Sequence, residues 1–319
     1  MTIRVVRPGI LSTVQDLGRP GYRRWGVSPG GAMDQTALRL ANLVVGNPDA
    51  SPAIEIHFPA TEFVFDEPKV IALGGADFGA TLDGREIGLW RAFMAGKGQS
   101  LRFNSRRNGA RCYMAVRGGI NARSWLNSCS TDLLTRLGGR LLRTDDRIES
   151  GNMDDTAVDE HCMIARGLIP HYSRFPTVRV VIGPESDRFG PEGLRLFFAQ
   201  DLTVDPGSNR MGCLLRGEPI AEPSSSRMAS TAVTFGTIQV LPSGSPVVLM
   251  ADHQTTGGYP RIGWVIERDL PLLAQLNAGD KVAFHEVGLD ASLALKNEFE
   301  RDIAILRAAC SLRRTKMLS

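Results

Sequence analysis

Long apolar runs are missing from this sequence. Its longest uninterrupted apolar stretches, such as Val247 to Ala251, are a handful of residues, far short of the roughly 20 that cross a bilayer as a helix. No membrane-spanning helix is expected. Charge of one sign is missing too. Lys and Arg number 37 against 34 Asp and Glu, leaving +3 over 319 residues, too little and too scattered for the field that nucleic-acid binding draws on. Cysteine is sparse. The five present (Cys112, Cys129, Cys162, Cys213 and Cys310) are odd in number and form no C-x-x-C pair, so neither a disulfide framework nor a thiolate zinc site is expected. The five histidines contain no i, i+4 pair and no H-E-x-x-H, and no protein-bound metal is expected. The first residues, Met1 to Gly9, place Arg and Pro where a secretory signal needs its apolar core. A cytoplasmic location is the expectation.

What is present is a globular composition, 43% hydrophobic and 22% charged, long enough for two cores of ordinary size. The 34 glycines and 18 prolines fall between short β-branched runs, the punctuation of a β-rich fold. Strands are expected at Val64–Phe65, Val70–Leu73, Leu101–Phe103, Cys112–Val116, Val178–Ile182, Ile238–Leu241, Val247–Ala251 and Lys281–Phe284. Asn108-Gly109 and Ser243-Gly244 read as hairpin turns joining neighbouring runs. Helices are few. Asp34 can cap a segment carrying Ala37, Leu40, Ala41 and Val44 on one face and stopped by Gly46-Asn47-Pro48. A second helix follows Asp290, with Leu295, Phe299, Ile303, Leu306 and Cys310 at helical spacing, and its basic end, Arg313-Arg314-Lys316, reads as frayed and solvated. The polar stretch Ser150 to Glu160 marks a boundary, giving an N-terminal β lobe at 1–155 and a C-terminal β lobe with the terminal helix at 156–319.

Gly26-Val27-Ser28-Pro29-Gly30 matches the nucleophile elbow G-x-S-x-G. That elbow uses the backbone N–H of the residue after the serine, and Pro29 has none. A Ser28 nucleophile is rejected on that ground. No G-x-x-x-x-G-K-[ST] and no G-x-G-x-x-G occurs, so any nucleotide is held without a P-loop or a Rossmann turn. Four polar, Gly-bearing segments remain. They are Thr13 to Tyr22 with its continuation Gly30 to Asp34, Ser128 to Leu133, Ser208 to Gly212, and Asp252 to Pro260. Each mixes small residues that admit a ligand to the backbone with side chains suited to an anion or a carbonyl. Turn capping accounts for any single one equally well.

Taken together and in order, Thr13-Val14-Gln15-Asp16-Leu17-Gly18-Arg19-Pro20-Gly21, Gly31-Ala32-Met33-Asp34, Ser208-Asn209-Arg210-Met211-Gly212, Gly236 to Val240 and Gln254 to Pro260 resemble the allophanate hydrolase subunit 2 family. That family is also called KipA-like or biotin-dependent carboxyltransferase. The resemblance implies two cyclophilin-like barrel lobes. It further implies a subunit of an ATP-dependent 5-oxoprolinase, the C subunit, acting with a KipI-like and a LamB/YcsF-like subunit to open a lactam to glutamate. Two alternatives come with it: a carboxyltransferase in a biotin-dependent urea carboxylase system, and a non-catalytic regulator that binds a KipI-like partner. Catalytic groups are implied at Arg210, Asp252 and Gln254, the arginine aimed outward as a cation for developing charge. Substrate contacts are implied at Arg19, Asp34, Ser130, Asp132, Asn209, Thr255, Thr256, Gly257, Gly258 and Tyr259. His253 and Cys129 stand where many relatives carry Arg, and Thr231 where many are acidic.

Overall fold

The computed structural model describes residues 2–151, 163–221 and 228–318. The chain divides into two compact units, one built from residues 1–19, 30–170 and 301–319, the other from residues 20–29 and 171–300. The expected boundary at 155/156 falls outside the described residues.

In the first unit the strands form two antiparallel sheets. One, of six strands, runs in the order Arg147–Glu149, Thr2–Arg7, Glu62–Phe65, Ser100–Phe103, Ala80–Leu82, Arg85–Glu86. The other, of five, runs Ser12–Gln15, Ala53–His57, Asn108–Val116, Lys69–Asp77, Ala92–Ala95. Ile3, Val5, Phe63, Phe65 and Leu101 from the first meet Ile54, Ile56, Ile71, Leu73, Cys112 and Met114 from the second in one core. Side chains alternate across a strand, so Glu55 and Tyr113 lie on the opposite face of the five-stranded sheet. That face is covered by helix α1, Gln35–Val45. A sheet covered on both sides needs apolar residues at both parities. This is why Val70–Ala76 and Cys112–Val116 inside these strands carry no charged residue.

α1 forms as its sequence dictates. The Asp34 carboxylate accepts from Ala37 N, and Gly46 ends the helix in the left-handed conformation. Asn47 then ties the turn to the Val116 carbonyl.

The second unit is a closed seven-stranded barrel, ordered Thr177–Ile182, Arg261–Val265, Thr237–Val240, Pro246–Leu249, Gly212–Arg216, Leu202–Val204, Lys281–Glu286. A parallel pairing of the last strand with the first closes it. Helix α2, Gly190–Ala199, packs on that seam, with Phe197 stacked on Phe284 at 4.9 Å between ring centroids. A short helix α3, Leu270–Ala274, follows the Arg261–Val265 strand, and α4, Leu289–Leu318, ends the described chain. α2 is not among the expected helices, although Pro191 and Glu192 in its first turn are a recognisable start signal.

Every expected strand is present. Ser243-Gly244 joins two paired strands, Thr237–Val240 and Pro246–Leu249, as expected. Asn108-Gly109 does not. The strands on either side of it belong to different sheets, and both residues lie inside Asn108–Val116, where the register shifts between Asn108 and Cys112. Gly109, at φ 75°, supplies a bulge rather than a turn. The basic end of α4 is also corrected, because the backbone stays helical through Leu318. Arg314 and Lys316 have side chains outside the described set.

Candidate functional site

The four motif segments assemble as two clusters, one in each unit. In the first unit the chain leaving the Ser12–Gln15 strand meets the Ser128–Asp132 segment. Asp16 is the hub. Its Oδ1 accepts from Gly18 N at 2.7 Å, Ser128 Oγ at 2.7 Å and Ser130 Oγ at 2.5 Å, and its Oδ2 accepts from Cys129 N at 2.6 Å. The Asp16 amide in turn donates to Ser130 Oγ, and Ala32 N donates to the Asp16 carbonyl. Glu55 fixes the Gly31–Asp34 segment from below, accepting from Met33 N and from the Tyr113 hydroxyl, which itself accepts from Asp34 N. Burial and the neighbouring Glu55 and Asp34 charges hold the Tyr113 hydroxyl protonated well beyond the usual range.

Arg19 lies 1% exposed at the end of this segment. One nitrogen, Nη2, donates to the Ser130 carbonyl, and the guanidinium carbon sits 5.2 Å from the centroid of the Trp125 ring. Its Nε and Nη1 are buried with no hydrogen-bond partner. Gln15 is 0% exposed and donates from Nε2 to the Thr131 carbonyl, while its Oε1 is also without a partner. The Cys129 thiol is pushed up chiefly by burial and then by Asp16, with Arg19 opposing. The direction of that shift favours the thiol over the thiolate.

In the second unit, Ser208–Gly212 and Met250–Asp252 lie side by side as the continuation of two paired strands. Met250 N donates to the Met211 carbonyl and Asp252 N to the Arg210 carbonyl. Arg210 is turned inward. Its Nε donates to Asp252 Oδ2 at 2.7 Å and its Nη2 to Oδ1 at 3.0 Å, with the residues 6% and 7% exposed. Beyond Asp252, Thr256–Gly257 pairs with Thr231–Ala232 in a two-stranded ribbon, and Val233 N donates to the Thr255 carbonyl. The buried Gln239 amide donates to the Tyr259 carbonyl and accepts from Gln254 Nε2 at 3.5 Å. His253 is buried against this loop, its Nδ1 donating to the Gln254 carbonyl. Desolvation, reinforced by the Arg23 charge, lowers its pKa.

The sequence-derived residues sort accordingly. Arg19, Ser130 and Asp132 come together in one unit, and Arg210, Asp252, Gln254 and Thr255 to Tyr259 in the other. Several have structural work. Asp34 caps α1. The Asp132 Oδ1 accepts from Leu134 N and Thr135 N to close its own turn. Asn209 Oδ1 accepts from Met211 N in the turn before Gly212. The outward-aimed Arg210 is corrected: its fork is filled by Asp252, which is the lowest-cost fate for two charges taken out of water. Gln254 and Tyr259 remain exposed. Asp16, Gln15, Trp125, Arg23 and Gln239 take part although sequence reasoning does not single them out. Asp16 and Gln15 stand inside a motif, but nothing local marks a carboxylate that draws donors from Ser128, Cys129 and Ser130, more than 100 residues away. Ser28 lies in irregular backbone well before α1, not on a strand-to-helix turn.

Residues 25–286 match the family model for the carboxyltransferase domain, subdomains A and B. The chain is 36% identical over 303 residues to the C subunit of the Escherichia coli 5-oxoprolinase, covering 94% of this chain and 96% of that protein. It is 32% identical to the urea amidolyase of Saccharomyces cerevisiae, over 95% of this chain but 17% of that enzyme. The crystal structure of the K. lactis urea amidolyase superposes with a TM-score of 0.88 at 28% identity, over 96% of this chain and 20% of that one. With its strands, its closed barrel and its motif segments in place, the chain belongs to the carboxyltransferase-domain family, subdomains A and B.

Proposed function

We propose that this chain is the C subunit of a 5-oxoprolinase, acting in the cytoplasm with KipI-like and LamB/YcsF-like subunits to open a lactam to its amino acid. The observation that carries this reading is the match over nearly the full length of both this chain and the E. coli protein, where the urea amidolyases contain the same region as a small part of a much larger enzyme. Within such a complex this chain supplies positioning. Asp16 and Glu55 fix the two segments around Arg19. The Arg210–Asp252 pair anchors the loop that presents Gln254 and Tyr259. An amide is a weak electrophile, and groups held rigid before reaction stabilise charge developing on its oxygen at no reorganisation cost.

ATP fits neither cluster. Each has one buried arginine with a carboxylate beside or against it, and a triphosphate would meet that negative charge. ATP is therefore kept at the level of the complex, and no step is routed through it on this chain. The match to urea amidolyase supports a second reading, a carboxyltransferase that receives a carboxyl group from biotin carried on another protein.

Reconstitution decides between them. Co-purified with KipI-like and LamB/YcsF-like subunits, the chain is expected to support ATP-dependent glutamate release from 5-oxoproline, and alone to support none. Turnover by the single chain, or biotin-dependent carboxylation of urea without glutamate release, would overturn the proposal.

A further inference from the structure

We infer that Arg19 is the anion-binding residue of the first unit's polar cluster and that its ligand is a small monocarboxylate. The starting point is an imbalance. A guanidinium cannot shed its proton in a protein, yet Arg19 is 1% exposed and two of its three nitrogens have no partner. No carboxylate pairs with it among the described residues. Asp16, the acid of the same cluster, spends both oxygens on Gly18, Ser128, Cys129 and Ser130. The Ser130 carbonyl and the Trp125 ring offset part of the charge, but a buried cation without an anion costs several kcal/mol. The buried arginine of the second unit's cluster, Arg210, has a complete fork on Asp252. The group missing at Arg19 is an oxyanion.

The charge count selects its class. Arg19 is the one buried cation described in this cluster, which also holds the carboxylates of Asp16, Glu55 and Asp132, a balance that suits a ligand carrying a single negative charge and disfavours a phosphate dianion. The turn from Asp132 to Leu137 leads into Gly138, where a Cβ would overlap the Ser130 carbonyl oxygen and lie 2.9 Å from Arg19 Nη2. At φ 76° the position is strained for any other residue. This glycine lets the turn lie against the guanidinium.

The test uses the whole purified chain and three probes: acetate, 5-oxoproline and inorganic phosphate, each at ionic strength matched with sodium chloride. Both carboxylates are expected to raise the thermal midpoint saturably and to shift one arginine Nε–H resonance in ¹⁵N NMR, with phosphate weaker. In Arg19→Met the carboxylate-dependent rise is lost, while the ligand-free midpoint is unchanged or higher, because an uncompensated buried charge has been removed. Arg19→Lys keeps the charge and binds at least about tenfold more weakly, because an ammonium lacks the planar fork. The inference is overturned if the wild-type chain shows no saturable effect, if the effect survives in Arg19→Met, or if phosphate binds more tightly than the carboxylates. Should that variant not fold, the wild-type resonance decides alone, since no shifted Nε–H at saturating carboxylate refutes the assignment. The assay needs no partner subunit, so its failure is separate from a failure of reconstitution.

Discussion

Replacing Arg210 with alanine removes one half of a buried, doubly hydrogen-bonded ion pair and leaves the other half in place. Asp252 is 7% exposed and holds its two oxygens 2.7 and 3.0 Å from guanidinium nitrogens. After truncation water has little access to that carboxylate. Breaking such a pair from one side costs about 3–5 kcal/mol, where an exposed pair would cost under about 1. For a unit of this size that corresponds to a melting-point drop of roughly 10 °C. Arg210→Met with Asp252→Leu removes both charges and is expected to return most of the loss, because the pair as a whole contributes little net stability. Urea titrations of the wild type, both single variants and the double variant give the coupling directly. A drop below about 1 kcal/mol in Arg210→Ala, or a double variant no better than the singles, refutes the buried-pair argument. The experiment also governs how activity is read, since lost turnover in Arg210→Ala reports an unpinned loop before it reports chemistry.

Two further outcomes follow from other buried groups. Burial and Arg23 lower the His253 pKa, so below the unfolded value of about 6.5 the unfolded chain takes up a proton that the folded chain does not. Stability from this group is present above that pH and is lost as pH falls through it, and His253→Gln should flatten the fall in urea midpoint between about pH 7 and 5; an unchanged slope would remove His253 from the account. Asp16→Asn keeps the size of the hub but replaces one acceptor oxygen by a donor facing donors, and should cost about 3 kcal/mol in urea unfolding, while a cost under about 1 would show that water replaces the lost bonds.

The fold is largely readable because its signals are local. Short β-branched runs between glycines locate the strands, and Asp34 with Gly46 brackets α1. The failures are also local readings applied to non-local facts. Asn108-Gly109 has the chemistry of a turn, but the flanking strands are claimed by different sheets, which no dipeptide records. The site is legible as segments and illegible as geometry. Arg210 and Asp252 both stand out in the sequence, yet their separation of 42 positions hides that they satisfy each other. Arg19 stands out for its charge, while its burial and its two empty nitrogens depend on Ser130 and Trp125 arriving from far along the chain.

The division of the chain also bears on how the protein can be made and cut. Residues 20–29 belong to the second unit and 301–319 to the first, so the backbone passes from one to the other four times. No single cut yields two self-sufficient pieces. A fragment ending near residue 155 forfeits the final turns of α4, including Arg307, which holds Asp49 at 3.0 Å, and a fragment beginning there forfeits the segment whose Arg23 holds the Val233 carbonyl. On the ribosome the first unit's strands emerge early, yet its last contacts wait for the whole barrel to be synthesised. Domains usually fold in the order in which they are made; here the unit begun first is the unit finished last.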